Sequence, residues 1–146
     1  MPESASKTIN SALQLLAQDG ELSIRISGNC MQPLIKDGAL VSVKQQAFYW
    51  PGDILVKRGF DGQLVAHRLI GIFPRKGRWY FVSRADSAAK ADVPVPGTQI
   101  IGRVLGGECV ETVVLVPIRY RIKAVGQFAW LIGKRIGYRF MRRFGG

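Results

Sequence analysis

Between residues 21 and 117 glycine, proline and aspartate recur so often that they leave little room for a long helix. Each interrupts a backbone in its own way: glycine reaches conformations closed to other residues, proline lacks an amide donor, and aspartate bonds neighbouring amides. Between the breaks apolar and polar residues alternate, as in Leu22, Ile24 and Ile26. Further β-rich runs occupy 39–44, 53–58, 63–73, 78–83, 99–105 and 109–116. Alternation puts every second side chain on one face of a strand, so this spacing predicts a mainly β domain, coiled and partly barrel-like.

The two flanking stretches have a different period. Ile9, Leu13, Leu16 and Ala17 recur at helical spacing, which predicts an N-terminal amphipathic helix over 8–18, ended near Asp19-Gly20. Residues 118–146 carry Arg119, Arg121, Lys123, Lys134, Arg135, Arg139, Arg142 and Arg143 and no acid, so they supply eight of the net eleven positive charges. Within them Ile118, Ile122, Val125, Ala129, Ile132, Ile136 and Phe140 step by three or four residues onto one helical face. Phe128, Trp130, Leu131 and Tyr138 widen the apolar surface, while Gly126, Gly133 and Gly137 would loosen the helix. The expected organisation is an N-terminal helix at 1–20, a β domain at 21–117 and a basic amphipathic tail at 118–146.

At 146 residues and 47% hydrophobic, the chain can bury a core without disulfides. Its two cysteines need not be staples, and a reducing compartment fits best. The start, Met1-Pro2-Glu3-Ser4-Ala5-Ser6-Lys7, has no basic region followed by an apolar run, and no segment reaches the roughly 18 apolar residues of a membrane span. The expectation is a cytoplasmic chain with neither signal peptide nor span. Its tail suits the interface of an anionic membrane, with the alternative that the tail packs on the β domain. Nucleic acid is the rival partner at a sequence pI near 10.3, but the tail aromatics lie in an apolar stripe, not on a polar strand platform. No metal-spaced Cys/His cluster and no phosphate-cradling glycine loop is visible, so no metal or cofactor is expected.

Two residues carry candidate chemistry. Cys30 lies in Ser27-Gly28-Asn29-Cys30-Met31-Gln32-Pro33, and the only histidine, His67, lies in Val65-Ala66-His67-Arg68-Leu69. An imidazole that takes the thiol proton leaves a thiolate, a far better nucleophile than a neutral hydroxyl. A carboxylate on the other ring nitrogen would fix the tautomer; Asp92 is the first candidate and Asp86 the second. Backbone amides of the Gly28–Met31 turn could hold an oxyanion, since a glycine there lets substrate approach closely. Each residue also has a plainer reading: a lone cysteine is ordinarily a small, half-buried hydrophobe, a lone strand histidine a structural one, and each aspartate a turn cap. Asp37 and Asp53, each beside a glycine, read as turn residues, and Cys109 as a core thiol.

The joint occurrence favours the catalytic reading. Around Cys30 and His67 run Lys36-Asp37-Gly38, Pro51-Gly52-Asp53-Ile54-Leu55-Val56, Ser83-Arg84-Ala85-Asp86, Asp92 and Ile100-Ile101-Gly102-Arg103-Val104, in that order. Over residues 22–105 this set resembles the serine peptidase clan that holds the signal peptidases and the self-cleaving repressor proteases. The resemblance implies the clan's coiled β fold, with Cys30 replacing the serine nucleophile while Gly28, Met31 and Pro33 keep their places. His67-Arg68 is similar to the endoplasmic-reticulum and archaeal-type branch, where other branches carry a lysine, and Asp86 and Asp92 reproduce that branch's six-residue spacing. Ala85 stands for its glycine, Ala88 for its asparagine and Gly28 for a serine that assists the oxyanion. The N-terminal anchor usual in signal peptidases and the helix-turn-helix of a repressor are not seen.

The expected function is that of an endopeptidase with a Cys30/His67 pair, a dedicated maturation protease for a peptide or protein. Its extended substrate would add as a strand beside Gly28, Asn29, Met31 and Pro33, and the resemblance implies small residues before the cut. The rival is a catalytically inactive peptide-binding or membrane-tethered scaffold in which cysteine marks a lost activity. Gly145-Gly146 resembles a cleavage boundary, though two glycines carry little information.

Overall fold

Alternating apolar residues become seven strands: β1 (Leu22–Arg25), β2 (Leu40–Lys44), β3 (Ile54–Arg58), β4 (Leu64–Arg75), β5 (Arg78–Arg84), β6 (Val95–Pro96) and β7 (Ile100–Gly107). This computed structural model describes residues 2–59, 61–109 and 111–144. All neighbouring strands pair antiparallel in the order β1-β2-β7-β3-β4-β5-β6. Register shifts at Ser42/Val43, Val56/Lys57 and Leu69/Gly71 bend the strands that carry them, and the sheet curls into an open half-barrel. The mainly β, partly barrel-like expectation describes this sheet. β6, which no sequence run announced, is two residues long and contains Pro96, which an edge strand tolerates because one side of its backbone needs no donor.

Alternation divides the core. Ile54, Val56 and Ala66 join Ile24, Val41, Val43, Ile101 and Val104 on one face, where Met31 and Ile35 also lie. Leu55 and Leu69 join Ile100 on another, with Phe81 and Val95 beside them. The N-terminal helix α1 (Pro2–Asp19) is longer than the 8–18 read from its apolar spacing. Leu13 and Ala17 reach the core, whereas Ile9 and Leu16 stay exposed. Gln14 Nε2 fixes the helix by donating to the carbonyls of Thr98 at 2.6 Å and Ile100 at 2.7 Å.

The run 109–116 is not a strand. Gly107, at φ +99°, ends β7, Cys109 keeps only an isolated bridge to Ile35, and Glu111–Val114 form the one-turn helix α2. Its β-branched residues favour strands in isolation, but Val113 is fully buried against the first core cluster from a helical turn, and packing overrides propensity.

Residues Ile118–Phe144 form one continuous helix, α3, which runs through Gly126, Gly133 and Gly137 without a break. Its Ala124, Phe128 and Leu131 pack on Ile70, Val82 and Phe73 of the sheet. Gly71 makes that contact possible: a Cβ there would come within 2.2 Å of the Phe128 ring. Arg121 Nη1 adds an ion pair to the buried Asp53 at 3.1 Å and donates to the carbonyl of Pro51 at 3.1 Å. The face read from sequence as one apolar stripe points away from the sheet, with Ile118, Ile122, Val125, Ile132 and Ile136 all exposed. Among the described residues no helix is long and apolar enough to cross a membrane. Gly145 and Gly146 lie outside the described residues.

Candidate active site

The turn that carries Cys30 joins β1 to β2 and is braced on both sides. Gly28 sits at φ +95°, a conformation that disfavours any side chain, and its amide donates to Asp37 Oδ1 at 2.7 Å. Asp37, read from sequence as a turn residue, thus shapes this turn. Ser27 donates its amide to the carbonyl of Leu64 at 3.2 Å, which places the turn at the start of β4. The Cys30 carbonyl accepts from Ser87, from its amide at 3.2 Å and from its hydroxyl at 3.0 Å. Cys30 itself is half-buried. Of the candidate substrate contacts, Gly28, Asn29 and Pro33 are exposed, whereas the Met31 side chain is buried in the core and offers only its backbone.

Strand register assembles the polar centre. His67 on β4 faces Leu55 on β3, so Lys57, two residues along β3, projects from the same face as the imidazole. Ser83 on β5 pairs with Leu69, two residues beyond His67, and therefore shares that face too. The loop after β5 returns Asp92 over all three, held by its amide's bond to the Ser83 carbonyl at 2.8 Å. His67 Nδ1 lies 2.5 Å from Asp92 Oδ2, and Lys57 Nζ and Ser83 Oγ each donate to the same oxygen at 2.8 Å. Lys57 also donates to Ser83 Oγ at 2.8 Å.

A carboxylate can only accept, so Nδ1 carries a proton, and in the neutral ring Nε2 is left with the lone pair. Nε2 is buried and has no hydrogen-bond partner among the described residues, so the Cys30 thiol is not bonded to it here. Burial alone would raise the Asp92 carboxyl. Hydrogen bonds from His67 and Lys57, the attraction of His67 and the Ser83 hydroxyl outweigh it and hold the group well below the usual carboxylate range. Asp92 is therefore an anion at neutral pH.

Asp86, the other aspartate considered for His67, is placed elsewhere. It takes a two-pronged bond from Arg68, at 2.8 Å from Nε and 2.7 Å from Nη2. Arg68 also donates to the carbonyl of Gly52 at 2.9 Å and lies over the Tyr120 ring of α3 at 4.6 Å. Asp53 is more than a turn residue, being fully buried between Arg121 and Arg103. Cys109 is half-buried at the edge of the first core cluster, and burial pushes its thiol up.

Sequence reasoning passed over two members of the centre, Lys57 and Ser83. The available signal was the strand pattern: a lysine breaks the apolar run Ile54-Leu55-Val56, and only a polar partner across the sheet satisfies such a residue when it is buried. Among the described residues no group of His, Cys, Asp or Glu is placed to hold a metal ion. A cavity of about 960 Å³ opens between α3 and β4–β5, with Ile70, Phe73, Phe128, Leu131 and Asp92 among its walls.

No curated protein matches the chain. Residues 3–105 match the family described as Peptidase S24-like, a span that begins well before the resemblance seen at 22–105 and takes in α1. That family points to peptidase or repressor-protease activity. With the match covering most of the chain, from α1 through nearly all of β7, the protein belongs to the Peptidase S24-like family.

Proposed function

We propose that the protein is an endopeptidase in which Cys30 is the nucleophile, His67 the general base and Asp92 the group that orients it. The observation that carries this reading is the His67–Asp92 contact, at 2.5 Å through Nδ1, which leaves Nε2 buried and without a hydrogen-bond partner among the described residues. The Cys30 turn is tied by its backbone to both elements that frame the pair, β4 through Leu64 and the 85–92 loop through Ser87. A thiol hydrogen bond is often loose before substrate binds, so the absence of one to Nε2 is compatible with this role.

In the first step His67 Nε2 takes the thiol proton, and the Cys30 sulfur attacks the scissile carbonyl to give a tetrahedral oxyanion. The amide of Gly28 is already engaged by Asp37, which leaves Asn29, Cys30 and Met31 as the turn's candidate oxyanion donors. Collapse breaks the C–N bond, the leaving amine takes the proton from His67, and a thioester remains. Water, deprotonated by His67, then releases the acid and restores the thiol. β1 is an edge strand and leads directly into the Cys30 turn, so an extended substrate added along it would run towards the sulfur.

Mass spectrometry of a peptide-library digest tests the reading. Wild-type protein should yield new termini, and both Cys30→Ala and His67→Ala should lose them. The unpartnered Nε2 also favours a second reading, a peptide-binding scaffold without turnover. Slow, unselective alkylation of Cys30 at neutral pH, together with no cleavage, would select the scaffold.

A further inference from the structure

We propose that the outer face of α3 is a lipid-binding surface that seats the protein on an anionic membrane. This rests on the surface of the helix and is independent of the peptidase reading. Ile118, Ile122, Val125, Ala129, Ile132 and Ile136 fall within an arc of about 80° and run for about 27 Å. All six are exposed: Ile118 is 70%, Ile122 65% and Ile136 57% accessible. The helix does not need this face to bind its own sheet, because Ala124, Phe128 and Leu131 on the neighbouring face already do so. A continuous apolar stripe of this length on a helix fastened by its other side has the form of an interfacial helix.

Charge identifies the occupant. Arg119 and Lys123 lie to one side of the stripe, Arg139 to the other and Arg143 beyond its C-terminal end, and the segment from 118 to 146 holds no acid. A second copy pressed on this face would bring two such cationic segments together and be repelled. Anionic headgroups would instead neutralise both flanks while the isoleucines enter the acyl boundary.

The test is co-sedimentation of the full chain with vesicles of phosphatidylglycerol and phosphatidylcholine, and with phosphatidylcholine alone. Binding to the anionic vesicles at low salt, weaker but persistent at high salt, is expected, with little binding to the neutral ones. Ile132→Gln/Ile136→Gln should reduce partitioning by roughly tenfold or more, because two buried side chains leave the acyl boundary. Its melting temperature should match wild type, since both residues are exposed. Arg139→Gln/Arg143→Gln should lower binding at low salt and flatten the salt dependence. Equal binding to neutral vesicles, or no effect of the isoleucine pair on lipid binding, would overturn the proposal. So would a dimer in analytical ultracentrifugation that the isoleucine pair disperses while lipid binding is absent.

Discussion

Lys57 and His67, side by side on one face of neighbouring strands, converge on a single oxygen of Asp92, at 2.8 and 2.5 Å. That oxygen also accepts from Ser83, so the carboxylate is fixed from three directions. The arrangement separates two aspartates that sequence spacing alone treats as near equivalents.

Asp92→Asn should therefore slow cleavage more than Asp86→Asn, and His67→Ala should slow it most, by roughly 100-fold or more. Asp86→Asn should act on stability instead, at about 1.5 kcal/mol, because it breaks the charge-assisted bonds to Arg68. Steady-state rates and thermal melts on the same variants check this. A larger rate loss in Asp86→Asn than in Asp92→Asn would remove Asp92 from the orienting role.

Acid should reveal Asp92 through folding. Its carboxyl is lowered in the folded protein, so its contribution to stability is full above the unfolded value of about 3.9 and is lost as pH falls towards the lower folded value. The unfolded chain binds the extra proton in that window. Melting temperature should fall more steeply below about pH 4 in wild type than in Asp92→Asn. Parallel curves for the two proteins would contradict the lowered carboxyl.

Alkylation should distinguish the two thiols. Burial raises the Cys109 thiol, whereas Cys30 lies in an exposed turn tied to the elements that carry His67. A small alkylating agent at neutral pH should modify Cys30 first, and His67→Ala should slow that reaction without changing Cys109. Peptide mapping over a time course provides the measurement.

Gly71→Ala should loosen the seat of α3. The added Cβ has no room beside the Phe128 ring, and overpacking of this kind costs about 1–3 kcal/mol. Phe128→Ala in the same chain should relieve part of that loss, so the two changes should be less than additive in a double-mutant cycle. Additive losses would mean that the two residues do not meet.

Local motifs make much of this molecule legible. The Gly28–Pro33 turn, the His67-Arg68 pair and the Asp86/Asp92 spacing are short-range patterns, and each is visible without a fold. Lys57 and Ser83 are not, because they lie 26 residues apart and only the register of β3, β4 and β5 brings them together. The α2 segment misleads for the opposite reason: its β-branched residues speak for a strand, while the burial of Val113 is a tertiary fact. In α3 the regular stripe of isoleucines is plain, but periodicity does not say which of two adjacent faces a sheet will take. Small residues decide it, Ala124 on the helix and Gly71 on the strand.

His67 and Arg68 are consecutive and so point to opposite faces of β4. One peptide bond thus separates the proposed base from the guanidinium that stacks on Tyr120 and holds the Gly52 carbonyl beneath the start of α3. A chain cut at residue 117 would not be a minimal version of this protein. It would uncover Ile70 and Val82, strip Asp53 of the Arg121 charge and remove the ring on which Arg68 lies. For anyone shortening or fusing this protein, the helix that looks like an appendage is better treated as the back wall of the site.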